Sequence, residues 1–262
     1  MLRTAAILLG LFSLLFAAPG FAYSSQQTWL EPDFVARAFI DVALRNEYSS
    51  GQKPLVKWQE PIRVWVKHDV ADRELHDELT NAHLRHLSSI TGLPIKRVSS
   101  RKEANIVWIY SNDAKWEKEI EREMGKSSLK HVRDAICKAG YRIGSNNAIV
   151  SASIVIPVDR ARMHGKLIAC VVEEITQTLG LPNDSDSAFP SIFNDNTPED
   201  LLSPLDVVLL KLLYEPELKV GMTERQVTPI VKRLLKRYQQ DGTLDKAVSV
   251  AKSGELFQLI GY

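Results

Sequence analysis

Two adjacent carboxylates, with an amide one helical turn further on, are the residues of this sequence best placed to do chemistry. They are Glu173, Glu174 and Gln177, and Gly180 and Asn183 follow at intervals of three residues. On a helix, Glu173 and Gln177 share a face, while Glu174 lies about 100° away from Glu173. A carboxyl group with a raised pKa can act as a general acid and an ionised neighbour as a base. The divergence of the two glutamates is unfavourable for reaction at one shared substrate atom.

The same residues offer only oxygen atoms to a metal ion. Zinc usually takes nitrogen or sulfur ligands with at most one carboxylate, so zinc is not expected. Weak binding of calcium or magnesium remains an alternative, because both ions prefer oxygen ligands and Asp184 follows directly after Asn183. Residues 183–186 lack the glycine and the distal glutamate of a calcium loop, and they favour a turn with Asx hydrogen bonds. We therefore expect no cofactor and no metal ligands.

The six histidines do not supply the missing imidazoles. His83 and His86 lie three residues apart on a charged helix predicted over residues 73–89. A metal could use that spacing, but an exposed helix face is the commoner explanation. Signatures of serine hydrolases and of P-loop proteins are also missing from the sequence.

The element that must position the two glutamates is a helix predicted over residues 161–180, with Gly180 as its left-handed cap. Its apolar stripe consists of Leu167, Ile168, Val171, Val172, Ile175 and Leu179. Glu173 and Gln177 lie nearly opposite that stripe. The simplest alternative is that both are merely the solvated face of an amphipathic helix.

The two cysteines, Cys137 and Cys170, most simply form one disulfide if the chain is exported. A buried pair of free thiols or a catalytic thiol are the alternatives, although neither cysteine has a histidine beside it in a nucleophile motif. A bridge would draw the region around residues 127–140, predicted to be helical, over the polar face of the 161–180 helix.

The elements around that helix alternate between strand and helix patterns, which predicts an α/β fold. Strands are expected over residues 61–68, 95–98, 104–110 and 148–158, and helices over residues 73–89, 113–125 and 203–214. Strand, helix and strand in succession imply a parallel pair. The last strand carries Ser151 and Ser153 on one side, and its Pro157 suits an edge.

The beginning of the chain predicts export. Residues 1–22 contain Arg3, an apolar stretch from Ala5 to Ala18 and small residues before Tyr23, as in a cleaved signal peptide. The remaining 240 residues contain 32 of the 33 basic residues and all 32 acidic ones, and their net charge is zero. Zero net charge argues against a nucleic-acid partner. We expect a soluble protein of the periplasm or the exterior, without stable membrane insertion after cleavage.

The spacing around Glu174 resembles the metzincin pattern His-Glu-x-x-His-x-x-Gly-x-x-His, with Glu173, Gln177 and Asn183 at the histidine positions. Residues 61–214 are similar to the matrixin branch as a whole. The runs Ser191-Ile192-Phe193-Asn194, Leu202-Ser203-Pro204-Leu205-Asp206 and Leu212-Leu213-Tyr214 stand where that family has its methionine turn and final helix. The resemblance implies a twisted mixed sheet with an edge strand, a motif helix and a C-terminal helix, but no zinc.

The mature chain also resembles an uncharacterised family of secreted bacterial domains of unknown function. The pattern that carries this resemblance is Cys-x-x-Glu-Glu-x-x-Gln-x-Leu-Gly-Leu-x-Asn-Asp, followed by Ser-Ile-Phe-Asn-Asp. We divide the chain into a signal peptide (1–22), an N-terminal helical arm (23–58), a degenerate metzincin-like domain (59–216) and a C-terminal helical extension (217–262).

The sequence thus predicts a degenerate peptidase-like protein that binds a peptide or an envelope protein without catalysis. An extended ligand would add to the edge strand near Ser151 and Ser153. Glu173, Glu174, Gln177, Asn183 and Asp184 would line the cleft. One alternative is a metal-independent hydrolase that uses Glu173 and Glu174. The other is a structural component of the cell envelope.

Overall fold

The computed structural model describes residues 29, 31–45, 51–132, 135–196 and 199–260. The expected signal peptide lies outside these residues. The strands are β1 (Lys57–Trp58), β2 (Ile62–His68), β3 (Ile95–Arg97), β4 (Ile106–Ser111), β5 (Lys138–Ile143) and β6 (Ala148–Pro157). The helices are α1 (Pro32–Leu44), α2 (Arg73–Thr91), α3 (Trp116–Met124), α4 (Val158–Met163), α5 (Leu167–Gln177), α6 (Pro204–Tyr214), α7 (Glu224–Gln240), α8 (Thr243–Lys252) and α9 (Glu255–Leu259).

A sheet in the order β1-β6-β4-β2-β3 forms the centre of the fold, and β5 also pairs with β6. Five of the six strands pair in parallel, and β5 runs antiparallel to β6. The expected α/β class is confirmed. The parallel pairing of β2 with β4 follows from the intervening α2, since a helical crossover returns the chain in the same direction.

The two faces of the sheet carry separate apolar clusters. Trp108 and Ile154 point to the face on which α2 and α5 pack and belong to the main core. Ile109 and Val155, their neighbours along the strands, point to the opposite face and pack with Trp116 of α3. Strands β4 and β6 are therefore largely buried on both faces, which explains why their sequences read as nearly continuous apolar runs.

The helix expected over residues 161–180 is divided into α4 and α5. The chain turns at Gly165, whose φ is +67°, and α5 ends at Gln177. Gly180 follows with a φ of +119°, and a Cβ atom added there would lie 2.2 Å from the backbone oxygen of Val56. Glycine is needed at this position because of the close approach as well as the positive φ.

The helix expected over residues 127–139 is wrong in its second half. A short 3₁₀ helix occupies Lys126–His131, but residues 138–143 form β5. The strand pairs with β6, so that Gly140 lies opposite Ser153. Residues 151–155 of β6 are consequently paired with β5 on one side, and β4 pairs with residues 152–157. The assignment of the free edge to that stretch of β6 is therefore wrong, and β5 forms the edge instead.

The N- and C-terminal helices share the main core. Helix α1 packs against α7, α8 against α6, and α9 against α2. The buried side chains of α1, α7 and α8 belong to the same cluster as those of the sheet. The expected domain boundaries after residues 58 and 216 remain a prediction. No helix in the described ranges is both long enough and apolar enough to cross a membrane.

Candidate functional site

A cleft of about 1030 Å³ lies between β5, α5 and the loop that follows α5. Strand β5 contributes Lys138 to Tyr141 and Ile143 to its lining, and α5 contributes Glu173, Glu174 and Gln177. The loop adds Asp184, Asn194, Asp195 and Glu199, and four lysines also line the cleft, namely Lys53, Lys130, Lys138 and Lys166. Three of the residues expected to line a cleft, namely Glu173, Glu174 and Gln177, are thus among its lining residues.

Three carboxylates meet at the floor of this cleft. One oxygen each from Glu173, Asp184 and Asp195 lies within 4.8 Å of the others. The side-chain amide of Gln177 donates a hydrogen bond to Asp184 Oδ1 over 3.1 Å and a longer one to Glu173 Oε1 over 3.4 Å. We call Glu173, Gln177, Asp184 and Asp195 the acidic floor. Its oxygen donors match hard cations or an organic cation better than zinc.

Asp184 and Asp195 both reach the floor because the two halves of the loop are hydrogen-bonded to each other. The amide of Ser185 donates to the carbonyl oxygen of Phe193 over 2.7 Å. The side-chain amide of Asn194 donates to the carbonyl oxygens of Asp186 and Ala188, over 3.0 and 2.9 Å. These bonds close the loop on itself, so residues 11 positions apart in the chain reach the same carboxylate of α5.

Asp206 of α6 holds the base of the same loop. Its carboxylate is fully buried and accepts hydrogen bonds from Ser191 Oγ and from the backbone amides of Ile192 and Ser203. Burial raises the pKa of this carboxyl to about 6, although the hydrogen bonds act in the opposite direction. Ser203 caps α6 by accepting from the Asp206 amide, as its position before Pro204 predicts.

Glu173 and Glu174 occupy different environments within the cleft. Glu173 is partly exposed and belongs to the acidic floor. Glu174 is only 6 % exposed, since it lies at the border of the apolar side of α5. A third glutamate, Glu199, lines the cleft from the loop, and burial together with the charge of Asp200 raises its carboxyl pKa above the ordinary value.

Three of the expected cleft residues lie elsewhere. Asn183 is buried outside the cleft, where its side-chain amide donates to the carbonyl oxygen of Asp41 in α1 over 2.9 Å. Ser151 and Ser153 alternate along β6 with the core residues Ala152 and Ile154, and they face the α3 side of the sheet. Asn183 therefore joins α1 to the loop, while the next residue, Asp184, reaches the floor.

The bridge between Cys137 and Cys170 is present, with 5.8 Å between the two Cα atoms. Cys137 directly precedes β5, and Cys170 lies on α5 one turn before Glu174. Both cysteines line the cleft. The bridge draws β5, rather than a helix, toward the polar face of α5.

A family described as a protein of unknown function, DUF2927, matches residues 32–233. The chain belongs to the DUF2927 family. No curated protein matches it. The resemblance to an uncharacterised domain family is confirmed at this level, and neither comparison supports the resemblance to metzincins.

The surface position expected for two histidines of this DUF2927 protein is wrong. His83 is 2 % exposed, and its Nε2 lies 3.2 Å from both the Val172 carbonyl oxygen and Thr176 Oγ1 of α5. His86 is partly buried against the carbonyl oxygen of Val250. Burial lowers the pKa of both imidazoles, to about 3 for His83. His83 therefore packs behind the motif helix, and it does not enter the cleft.

The sequence analysis did not identify Asp195 or Tyr141 as site residues. Asp195 directly follows Asn194, and only loop closure brings it to the floor. Tyr141 lies on the α5 side of β5, where burial raises its pKa to about 12. Its alternation with Ala139 and Ile143 was the available signal, because three such residues at a period of two are typical of a strand.

Proposed function

We propose that this DUF2927 protein is exported and binds an extended peptide segment in the cleft without hydrolysing it. The observation that carries the proposal is the side of β5 that faces away from β6, where no other strand pairs with it among the described residues. Within the described ranges β5 pairs with β6 alone, and its residues line the cleft. An unpaired strand edge presents backbone donors and acceptors that a second extended chain can satisfy.

The walls of the cleft suit the side chains of such a segment. Tyr141 and Ile143 offer apolar surface on the α5 side of β5. The acidic floor lies across from them and favours a basic side chain over an acidic one, because three carboxylates share a space less than 5 Å wide. Residues of the ligand that alternate between apolar and basic would match both surfaces.

The absence of hydrolysis is proposed from the chemistry of the donors. The positions that resemble a zinc motif carry Glu173 and Gln177 on α5, while Asn183 is bonded to α1. Glu173 and Glu174 could still form an acid and base pair, because they differ in burial and line one cleft. Metal-independent hydrolysis is therefore the second candidate.

The proposal also includes export of the protein and its descent from a peptidase. The disulfide supports an oxidising compartment, in which such bonds persist, and residues 1–22 have the composition of a signal peptide. Helix α5, the antiparallel edge strand β5 and the loop that follows α5 support descent from a metzincin-like peptidase. Such descent would mean that the cleft was retained while the metal-binding histidines were replaced.

The test is selection of peptides from a random display library on the oxidised mature chain, followed by measurement of affinity for the selected peptides in solution. Each backbone nitrogen of the best peptide is then methylated in turn. Strand addition predicts that methylation weakens binding at every second position and is tolerated at the positions between, since alternate amides point to β5. A pattern without that period, or a library without binders, refutes the proposal.

Turnover of the same peptides is measured in parallel. No cleavage is expected from the wild-type protein. Cleavage that disappears in Glu173→Gln or Glu174→Gln would instead establish the hydrolase. A protein that binds nothing and loses only stability in both variants would fit the structural alternative.

A further inference from the structure

The geometry points to the Cys137–Cys170 bridge as a redox-sensitive brace of the cleft. We propose that its reduction by a dithiol loosens β5 and weakens ligand binding while the rest of the fold persists. The part about binding rests on the proposed function, whereas the part about β5 does not.

The bridge joins the two walls between which a ligand would lie. Cys137 immediately precedes the edge strand, and Cys170 lies in α5, three residues before Glu173. The bond therefore holds the beginning of β5 against the helix that carries the acidic floor. Without it, the separation of strand and helix would depend on side-chain packing alone.

Apart from this bond, strand β5 depends mainly on its pairing with β6. Each of its residues is at least partly exposed, whereas β6 contains seven residues that are buried. Its neighbour in the sheet is β6 on one side, and no second strand covers it among the described residues. Elements with few buried contacts open locally at a lower free energy than the whole fold does.

The core does not depend on the bridge in the same way. Helix α5 buries Val171, Val172 and Ile175 against the sheet and α2, and these side chains are fully or almost fully buried. Strand β4 lies between β2 and β6 with hydrogen-bonded partners on both sides. Reduction is therefore expected to release an edge and to leave the centre of the sheet intact.

The exposure of the two cysteines determines the course of reduction. Cys137 is partly exposed at the cleft, and Cys170 is 1 % exposed. A thiolate of the dithiol attacks Cys137 Sγ, the S–S bond breaks, and Cys170 Sγ leaves as a thiolate that takes up a proton. The second thiol of the reductant then attacks the reductant sulfur of the mixed disulfide and releases the Cys137 thiol. The protein gains two electrons and two protons, and the dithiol becomes a disulfide.

Hydrogen exchange measured by mass spectrometry tests the brace without any ligand. The oxidised protein is compared with the protein reduced by dithiothreitol and with the double variant Cys137→Ser/Cys170→Ser. The double variant with and without dithiothreitol controls for effects of the reagent itself. Exchange of residues 138–143 should rise about tenfold or more on reduction, while residues 62–68 and 106–111 change less than about twofold.

Unchanged exchange in β5 would overturn the inference, and so would loss of protection throughout the chain, which would make the bridge a support of the whole fold. If the double variant does not fold, the comparison of hydrogen exchange in the oxidised and the reduced wild-type protein is sufficient. The peptide selected on the oxidised protein is then titrated into both redox states, and about a tenfold weaker Kd is expected after reduction. Equal affinity in the two redox states refutes the inference and leaves the proposed function standing. Failure to select any peptide refutes the proposed function. In that case the hydrogen-exchange comparison still tests whether the bridge holds β5 in place.

Discussion

The side-chain amide of Gln177 donates a hydrogen bond to the carboxylate of Asp184 over 3.1 Å and joins the motif helix to the loop that follows it. The same amide lies 3.4 Å from Glu173 Oε1. Gln177 thus lies between two carboxylates, one on its own helix and one on the following loop. The contact keeps two negative groups at the floor of the cleft and gives them a shared donor.

Neutralising one carboxylate of the floor should weaken the binding of basic peptides. We expect Glu173→Gln to raise the Kd of a lysine-containing selected peptide by about three- to tenfold, with a smaller effect at high salt. The shape of the side chain is nearly preserved, so the change is mainly one of charge. Titration followed by fluorescence anisotropy at two salt concentrations measures it.

Glu121→Gln is the matched control for that variant. Glu121 is exposed on α3, across the sheet from the cleft, and the same substitution there should leave the Kd unchanged. Equal affinity of wild type and Glu173→Gln would contradict the role of the acidic floor.

Removing the charge of the buried Asp206 should destabilise the protein. Asp206→Asn replaces an acceptor oxygen by an amide group that cannot accept from Ser191 Oγ or from backbone amides. We expect a loss of about 2 to 3 kcal/mol in the free energy of unfolding, measured by urea titration. Asp245→Asn, at an exposed site in the first turn of α8, should change it by less than about 0.5 kcal/mol. Similar losses in the two variants would show that the network around Asp206 is unimportant.

A side chain at Gly180 should be more costly than one at another glycine with positive φ. Gly180→Ala would bring Cβ to 2.2 Å from the Val56 oxygen, whereas nothing lies within 4 Å of a Cβ at Gly92. We expect Gly92→Ala to lower stability by about 1 kcal/mol through strain alone and Gly180→Ala by roughly 3 kcal/mol or more. Thermal and urea unfolding of both variants measure the difference. Equal losses would mean that the backbone moves away without cost.

Acid should destabilise the fold through its buried histidines. Burial lowers the pKa of His76 to about 4 and that of His83 to about 3, below the ordinary value of 6.5. The unfolded chain therefore binds more protons than the native one, and stability present above pH 6.5 is lost as the pH falls toward 4. Asp206 acts in the opposite direction between pH 6 and 4, because its pKa is raised to about 6.

His76→Phe isolates one contribution to the acid loss. The ring of His76 is fully buried and stacks on Tyr110 with the centroids 4.4 Å apart, and phenylalanine can preserve that contact. We expect the variant to lose about 1 to 2 kcal/mol less than the wild type between pH 6.5 and 4.5 in urea titrations. Parallel stability curves for the two proteins would contradict this assignment.

Elements with local signals could be predicted from the sequence. Ser203, Pro204 and Asp206 stand next to one another and produce the capping box of α6 by contacts within one turn. The parallel order of β2 and β4 likewise followed from the helix between them. The disulfide between Cys137 and Cys170, which the sequence favoured over two alternatives, is present.

The alternation of Ala139, Tyr141 and Ile143 was too short a signal to predict strand β5 with the same certainty. The chain before it is rich in helix-forming and polar residues, and Gly140 weakens any local strand signal. What makes residues 138–143 extended is pairing with β6, and that partner lies across a turn at residues 144–147. The error moved the free edge of the sheet by one strand and thus moved the wall of the cleft.

The sequence by itself determined the α/β class and the polar spacing of Glu173, Glu174 and Gln177 on one helix, because helical geometry relates residues three and four positions apart. Tertiary structure alone decided which strand forms the edge, and it placed Asp184 and Asp195 at the floor while Asn183 bonds to α1. These outcomes depend on strand pairing and loop closure between residues distant in the chain. The free energies of such contacts compete across the whole fold, and no local pattern contains them.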